Sequence, residues 1–206
     1  MYKLYWRYDS GAYAPNAVLE LVGARFERVH VDSRKGETRT PEYLALNPLA
    51  QIPTLVLPDG TVMTETAAML LHLTEAFPAA GLAPAPGAAG RTTFLRWLLF
   101  LATSVYPAVL RDTYPERHTA DASGAPVVRQ QAQADKARLW RAYAEAMGDR
   151  PWMVGGSMSA LDIYAAMLAG WWSEAHSLPA IEALVARVRA DPVCGRLWTE
   201  YDIRAG

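Results

Sequence analysis

Residues 47–73 read NPLAQIPTLVLPDGTVMTETAAMLLHL and carry three local signals in succession. Pro53 opens an apolar run, and because proline has no N–H it belongs at the start or edge of a strand. Residues 57–60 (Leu-Pro-Asp-Gly) form a turn, since proline presets φ and glycine accepts a positive one. Glu65 and Thr66 then open an apolar helix. The stretch therefore predicts a β-hairpin followed by a helix.

The residues before this stretch alternate strand and helix patterns, with Thr40 as N-cap and Pro41 as first residue of one short helix. The predicted order is β-α-β-α-β-β-α. A β-α-β unit predicts two parallel strands, and the hairpin adds antiparallel strands to the same sheet. The segments before the hairpin are strands at 2–7 and 25–32, a helix at 14–24 and a short helix within 40–48.

The composition changes after residue 78. Residues 79–90 are rich in proline, glycine and alanine and predict a linker between a domain of residues 1–78 and a domain of residues 91–206. No strand pattern occurs beyond the linker, which predicts an all-α second domain. The helical segments are 91–112 with a kink at Pro107, 127–147, 159–172, 179–190 and a short piece at 195–201.

Bulk composition excludes several classes of protein. The chain has 206 residues and a formal net charge of −1, with 20 Lys and Arg residues scattered along it. It has no basic stripe, so a nucleic-acid partner is not expected. A single cysteine, Cys194, excludes an internal disulfide framework. The four histidines lack ligand spacing, so no metal is expected.

Targeting signals are not apparent either. The N-terminus lacks the basic-then-apolar pattern of a signal peptide. The most apolar run, residues 97–110, has 14 residues between Arg96 and Arg111 and is predicted to be a buried core helix rather than a membrane span. The expected location is the cytoplasm, with no membrane partner.

The hairpin stretch also suggests a ligand. A cis bond at Ile52-Pro53 would free the main chain of Ile52 to pair with an extended peptide; the alternative is that Pro53 merely starts an edge strand. The unpaired main-chain N–H groups at the start of the helix and the Thr66 hydroxyl could bind a carboxylate of a ligand, and Glu65 could bind its ammonium group. An ordinary acidic first turn capped by Thr64 would look the same. Together these features fit a short peptide with free α-amino and α-carboxyl groups, such as glutathione.

With these motifs the chain resembles the cytosolic, bacterial-type glutathione S-transferases over nearly its whole length. The segment 47–70 resembles the family signature: Asn-Pro, a cis-proline, a hairpin and an acidic-hydroxyl pair. GGSMSALDIYAAM resembles its helix N-capping box, with Ser159 as cap and Asp162 three residues later. The resemblance implies an α/β thioredoxin-like N-terminal domain with a mixed sheet and an all-α C-terminal domain.

The resemblance also implies a chemistry, activation of the glutathione thiol by a donor between the first strand and the first helix. Ser10 is the leading candidate, as in serine-type members. Ala12 departs from relatives that carry a second small hydroxyl residue there. Tyr5 and Tyr8 are the runners-up, and the alternative is that Ser10 only forms a turn.

The remaining site residues follow from the same resemblance. An apolar pocket for a small hydrophobic electrophile is expected on the helical side. The predicted glutathione contacts are Gln51, Ile52, Pro53, Glu65 and Thr66, with Arg39 or Lys35 for the glycine carboxylate. The predicted electrophile pocket comprises Tyr13, Tyr106 and Tyr114.

Two other functions remain open from the sequence. One is a non-catalytic member of the fold that acts through protein–protein interaction. The other is a glutathione-dependent isomerase or peroxidase on the same site. Glutathione would be the co-substrate of an enzyme without metal, and the resemblance implies a homodimer.

Overall fold

The computed structural model describes residues 1–203, except for the side chain of His176. The strands are β1 Tyr2–Trp6, β2 Phe26–His30, β3 Thr54–Val56 and β4 Val62–Met63. They form one sheet in the order β2-β1-β3-β4; β1 runs parallel to β2 and antiparallel to β3, and β3 runs antiparallel to β4. This confirms the predicted parallel pair and hairpin.

Three helices accompany this sheet: α1 Tyr13–Leu21, α2 Pro41–Leu46 and α3 Thr66–Ala76. Alternate side chains of β1 point to opposite faces, as the strand pleat requires. Tyr2 packs against Phe77, which follows α3, with ring centroids 6.2 Å apart. Tyr5 packs against Tyr43 of α2 at 5.7 Å. The sheet therefore has α3 on the Tyr2 side and α2 on the Tyr5 side.

The rest of the described chain is helical. Its helices are α4 Arg91–Phe100, α5 Tyr106–Thr113, α6 Ala125–Met147, α7 Ala160–Ala169, α8 Pro179–Ala190 and α9 Pro192–Glu200. All ten residues of α7 are buried, and α7 packs against α1, α3, α4 and α8. Together with the sheet, these helices confirm the thioredoxin-like plus helical fold.

The start of α7 carries the predicted capping box. The N–H of Ser159 donates to the Asp162 carboxylate over 2.9 Å, and the Ser159 hydroxyl donates to it over 2.6 Å. The N–H of Met153 donates to the second carboxylate oxygen over 3.0 Å. Asp162 thus ties the preceding loop to the first turn of the central helix.

Between α4 and α5, residues Leu101–Val105 form π-helical turns. Pro107 has no N–H and cannot complete the normal ladder, so the wider turns just before it replace the predicted kink. The helix is continuous over 23 residues, Arg91–Thr113, and by length and mean hydropathy of 1.4 it is long enough to cross a membrane. The helix matches the predicted segment 91–112, and the apolar run of 14 residues lies within it. The inward face of this helix, which includes Phe94, Leu98 and Leu101, is buried in the core.

The last helix begins earlier than the sequence analysis predicted. The carboxylate of Asp191 accepts hydrogen bonds from the N–H groups of Val193 and Cys194 over 2.9 and 3.0 Å. Pro192 occupies the first helical position, where its missing N–H carries no penalty. The start at Pro192 was therefore signalled by an Asp-Pro cap that the prediction overlooked.

Candidate active site

The loop before β3 presents an unpaired stretch of main chain. The Ile52–Pro53 peptide bond is cis. Among the described residues, neither the N–H nor the carbonyl of Ile52 has a hydrogen-bond partner. The neighbouring Gln51 carbonyl is held from behind, by the Tyr43 hydroxyl over 2.7 Å and the Asn47 amide over 3.0 Å. The structure thus holds the loop by one carbonyl and leaves the next residue free to pair with a ligand.

The N-terminus of α3 lies beside this loop. Glu65 precedes the helix with a φ of 65°, and its side chain is exposed. Within the described part of the chain, no acceptor pairs with the N–H of Glu65 or Thr66. The Thr66 hydroxyl is buried and donates to the Gly11 carbonyl over 3.3 Å. The helix start therefore retains its N–H donors, but the proton of the Thr66 hydroxyl is already used within the protein.

Three non-glycine residues with positive φ occur in loops of this half of the chain. They are Asp9 at 49°, Ala50 at 55° and Glu65 at 65°. They precede α1, the Gln51–Pro53 loop and α3. Such conformations cost free energy in L-residues and tend to occur at ligand-binding sites. Their positions are consistent with a shaped site where these three loops meet.

The structure places Ser10 in a turn. Its hydroxyl donates to the Arg7 carbonyl over 2.7 Å and accepts a longer bond, 3.4 Å, from the N–H of Ala12. A hydroxyl has one proton to donate, and here Ser10 donates it to the Arg7 carbonyl. This geometry matches the alternative in which Ser10 forms a turn, so its role as thiol donor stays a prediction.

The two tyrosine runners-up occupy different positions, and Tyr5 is paired in the sheet with Thr54, the residue after Pro53. Tyr5 packs against Tyr43 on the α2 face of the sheet. Tyr8 is exposed and packs against His30 at the end of β2, with ring centroids 5.4 Å apart. In the sheet, β2 and β3 lie on opposite sides of β1, so Tyr8 stands across β1 from the Pro53 loop.

Gly11 forms the point where both halves of the chain meet. A Cβ at position 11 would lie 3.1 Å from the Tyr106 hydroxyl, 3.1 Å from Thr66 Oγ1 and 3.4 Å from Pro53 Cδ. The absence of a Cβ at Gly11 lets groups from these three segments approach its main chain closely. The sequence analysis did not assign a site role to Gly11. No local pattern marks it, because its neighbours come from three distant segments.

Tyr106 is held in a partly closed environment. Its ring packs on Trp171, with centroids 5.7 Å apart. Burial raises the pKa of Tyr106 to about 12; nearby Arg7 lowers it, whereas Tyr114, Glu65 and Asp9 raise it. The phenol is therefore neutral at physiological pH. Its hydroxyl lies beside the Gly11 main chain in the loop before α1 and near Thr66 at the start of α3.

Two of the three predicted pocket tyrosines fit that position, and the third does not. Tyr114 follows α5, and its electrostatic interaction with Tyr106 raises the pKa of Tyr106. The structure corrects the placement of Tyr13, which is completely buried. Its hydroxyl donates to the Cys194 carbonyl over 3.1 Å. The start of α1 faces α9, so Tyr13 has no surface to offer an electrophile.

The two predicted cations lie in the loop between β2 and α2. Lys35 is exposed and pairs with Asp32 over 3.7 Å. Arg39 is exposed, and no carboxylate among residues 1–203 pairs with it. Of the two, Arg39 is therefore better disposed to bind a carboxylate from outside the protein.

Comparisons with known proteins agree with this arrangement. Residues 15–76 match the model of the glutathione S-transferase N-terminal domain. The uncharacterized GST-like protein YncG of Escherichia coli K12 is 30% identical over 195 residues, covering 94% of this chain and 93% of YncG. The chain belongs to the glutathione S-transferase family. Another glutathione S-transferase, GstA of Escherichia coli O157:H7, is 28% identical over 82% of this chain and 81% of its own.

Solved glutathione S-transferases share the fold of this family member. A sphingomonad glutathione S-transferase complexed with glutathione has a TM-score of 0.82 and 27% identity, covering 97% of this chain and 98% of the other. A glutathione transferase homologue from Sulfitobacter has a TM-score of 0.87 over 97% of this chain and 98% of its own at 23% identity, which supports the fold alone.

Proposed function

We propose that the chain is a glutathione transferase, which binds glutathione and activates its thiol for attack on a small hydrophobic electrophile. The observation that carries the proposal is the free main chain of Ile52, next to the cis Pro53 and close to Gly11 and the start of α3. That geometry suits an extended peptide with a charged end. The sphingomonad relative, which was solved with glutathione, supports the same ligand.

The residue roles follow the geometry. Ile52 pairs with the peptide main chain, with Gln51 and Pro53 shaping the loop around it. Glu65 and the N–H groups at the start of α3 hold the zwitterionic end of glutathione. Arg39, with Lys35 as the alternative, binds the glycine carboxylate.

The energy required for thiol activation is modest. Lowering a thiol pKa from about 8.5 by roughly two units takes about 2.7 kcal/mol. One hydrogen bond to a charged sulfur supplies about 1.5–3 kcal/mol. A single hydroxyl donor is therefore sufficient, and Ser10 is the donor predicted from the sequence. The electrophile is expected beside Tyr106 and Tyr114, where apolar and aromatic surface adjoins the site.

The organisation around the site is part of the proposal. Residues 1–78 form the glutathione-binding domain, 79–90 the linker and 91–206 the domain that contributes the electrophile pocket. The protein acts in the cytoplasm as a homodimer, as the family resemblance implies, without nucleic-acid or membrane partners.

Calorimetric titration with glutathione, paired with a conjugation assay on a chlorodinitrobenzene, tests the function. We expect binding by the wild type and roughly 10-fold weaker binding by Glu65→Gln, because a hydrogen bond to a charged group is worth about 1.5–3 kcal/mol. Glu116→Gln is the matched control, since Glu116 is exposed in the turn after α5. Absence of glutathione binding by the wild type would contradict the proposal. Binding without conjugation would favour an isomerase, a peroxidase or an interaction protein.

A further inference from the structure

The Tyr106 hydroxyl is an uncommitted donor pointed at the centre of the site. Among the residues that the structure describes, it has no hydrogen-bond partner. It lies 3.1 Å from where a Cβ of Gly11 would be, and Thr66 Oγ1 and Pro53 Cδ lie 3.1 and 3.4 Å from the same point. The phenol oxygen thus lies where the β1–α1 loop, the start of α3 and the Pro53 loop converge.

The neighbouring hydroxyls are committed elsewhere. The Ser10 hydroxyl donates to the Arg7 carbonyl, and the Thr66 hydroxyl donates to the Gly11 carbonyl. Either group would have to break an internal bond before it donated to a ligand. Tyr106 has no such bond to lose, so its donation to a ligand costs least.

We propose that Tyr106 is the catalytic residue that donates a hydrogen bond to the glutathione thiolate. This inference rests on the proposed function and assigns its donor. It differs from the sequence prediction, which placed Ser10 at the sulfur and Tyr106 in the electrophile pocket alone. The donor comes from the helical part of the chain rather than from the loop that follows β1.

The protonation states fit this role. The glutathione thiol releases its proton to water, and the phenol keeps its own proton while donating a hydrogen bond to the sulfur anion. The sulfur electron pair then forms the bond to the electrophilic carbon, and the leaving group departs with its own bonding pair. The raised pKa of Tyr106, which burial causes, keeps the phenol protonated throughout the physiological range.

Among the described residues, no carboxylate accepts a hydrogen bond from the Tyr106 hydroxyl. Arg7 lowers its pKa, whereas Asp9 and Glu65 raise it. Asp9 already accepts a hydrogen bond from the Trp171 indole over 2.7 Å. Tyr114 is a second phenol near Tyr106, and the substitution Tyr114→Phe tests its hydroxyl separately.

The orientation of Tyr106 has an identifiable cause. The π-helical turns over Leu101–Val105 shift the register of the helix just before this residue. Such turns are frequent at functional sites. The Trp171 ring, tilted by 33° against it, then limits the rotation of the Tyr106 ring.

The test is ultraviolet titration of the thiolate of bound glutathione in wild type, Tyr106→Phe and Ser10→Ala. We expect Tyr106→Phe to raise the pKa of the bound thiol by about one to two units, because it removes one hydrogen bond to a charged sulfur. At a pH below the wild-type thiol pKa, kcat/KM should fall roughly 10- to 100-fold, and the deficit should narrow as the pH rises.

S-Methylglutathione, which has no ionisable thiol, is the second probe. We expect Tyr106→Phe to bind it within about twofold of wild type. Tyr143→Phe is the matched control, since it removes a buried hydroxyl without a partner from α6, and it should leave the thiol pKa unchanged. Tyr114→Phe should likewise leave the thiol pKa within a few tenths of a unit.

Several outcomes would overturn the assignment. An unchanged thiol pKa in Tyr106→Phe, or a shift that appears only in Ser10→Ala or Tyr114→Phe, moves the donor elsewhere while glutathione binding stands. Parallel loss of glutathione and S-methylglutathione binding in Tyr106→Phe would make the residue structural. Failure of the wild type to bind glutathione would overturn the proposed function together with the donor.

Discussion

The indole N–H of Trp171 donates a hydrogen bond to the carboxylate of Asp9 over 2.7 Å. Asp9 belongs to the loop after β1, whereas Trp171 follows α7 in the helical part of the chain. The Trp171 ring also packs on Tyr106. This one side chain therefore links the β1–α1 loop to the residue that faces Gly11.

Substitution of Asp9 should separate the role of its hydrogen bond from the role of its backbone conformation. Asp9→Asn retains an acceptor oxygen and tolerates the φ of 49°, so we expect near-wild-type stability. Asp9→Ala leaves the indole N–H of Trp171 unpaired and should lower the free energy of unfolding by about 1–3 kcal/mol. Urea denaturation measures both. Equal stability of the two variants would show that the Trp171 contact contributes nothing.

A side chain at position 11 should block the site without unfolding the protein. Gly11→Ala would bring its methyl group within 3.1 Å of Tyr106 and Thr66. We expect roughly 10-fold weaker glutathione binding and a stability loss of about 1 kcal/mol. In Gly156→Ala, the matched control, the methyl group enters open space and should change stability by less than about 0.5 kcal/mol. Undiminished binding by Gly11→Ala would show that the close packing of Tyr106 and Thr66 on Gly11 does not shape the site.

The Gln51–Pro53 loop should depend on the hydrogen bonds behind it. Tyr43→Phe removes the hydroxyl that donates to the Gln51 carbonyl over 2.7 Å and lies 3.0 Å from Thr54 Oγ1. Asn47 still holds the same carbonyl, so we expect a loss of about 1 kcal/mol in stability. Calorimetry should show glutathione binding weakened severalfold. A stability loss without any change in binding would contradict the role assigned to this loop.

The lone cysteine should be inert in the folded protein. Burial, helped by Asp191, raises the pKa of the Cys194 thiol to about 12. Because the thiolate is the reactive form, iodoacetamide at about pH 8 should leave native Cys194 unmodified and alkylate it fully in urea. Mass spectrometry distinguishes the two states. Cys194→Ala should retain conjugating activity, and rapid labelling of the native protein would refute the burial argument.

The capping carboxylate should make stability depend on pH in a defined direction. Burial raises the pKa of Asp162, although hydrogen bonds from Met153 and Ser159 oppose the change. A carboxyl group with a higher pKa in the folded state binds protons more readily there. Its contribution to stability is therefore largest below its unfolded pKa of about 3.9 and is lost as the pH rises through the folded value.

Asp162→Asn removes the titrating carboxyl group and replaces one of its two hydrogen-bond acceptor oxygens. We expect it to destabilise the protein by about 1–3 kcal/mol at neutral pH. The advantage of wild type over Asp162→Asn should shrink as the pH rises above the unfolded pKa of about 3.9. Denaturant unfolding at several pH values measures this, and an advantage that grew with pH would reverse the assigned shift.

Features set by neighbours in the chain were predictable from the sequence. The turn at 57–60 forms because Pro58 and Gly60 suit its backbone angles, and Gly60 has a φ of 91°. Thr40 caps α2 by accepting from the N–H of Tyr43 over 3.3 Å. The Asp191 cap of α9 was equally local and was missed only because Cys194 and Gly195 obscured the helix pattern.

Other features depend on residues that only folding brings together. From the sequence, Ser10 is the leading candidate for the thiol donor. In the structure, its hydroxyl instead donates to the Arg7 carbonyl. Tyr13 is completely buried because α9 lies against α1.

The sequence by itself determined the order of the strands and helices, the hairpin, the caps and the family, because these depend on short-range backbone preferences and on periodicity. Tertiary structure alone decided which hydroxyl is free at the centre of the site. Gly11 and Tyr106 are far apart in the chain, and their approach depends on how the helices pack against the sheet. Buried polar groups pair with any suitable partner that folding brings near them. A hydroxyl without a partner, such as that of Tyr106, can therefore be identified only from the folded structure.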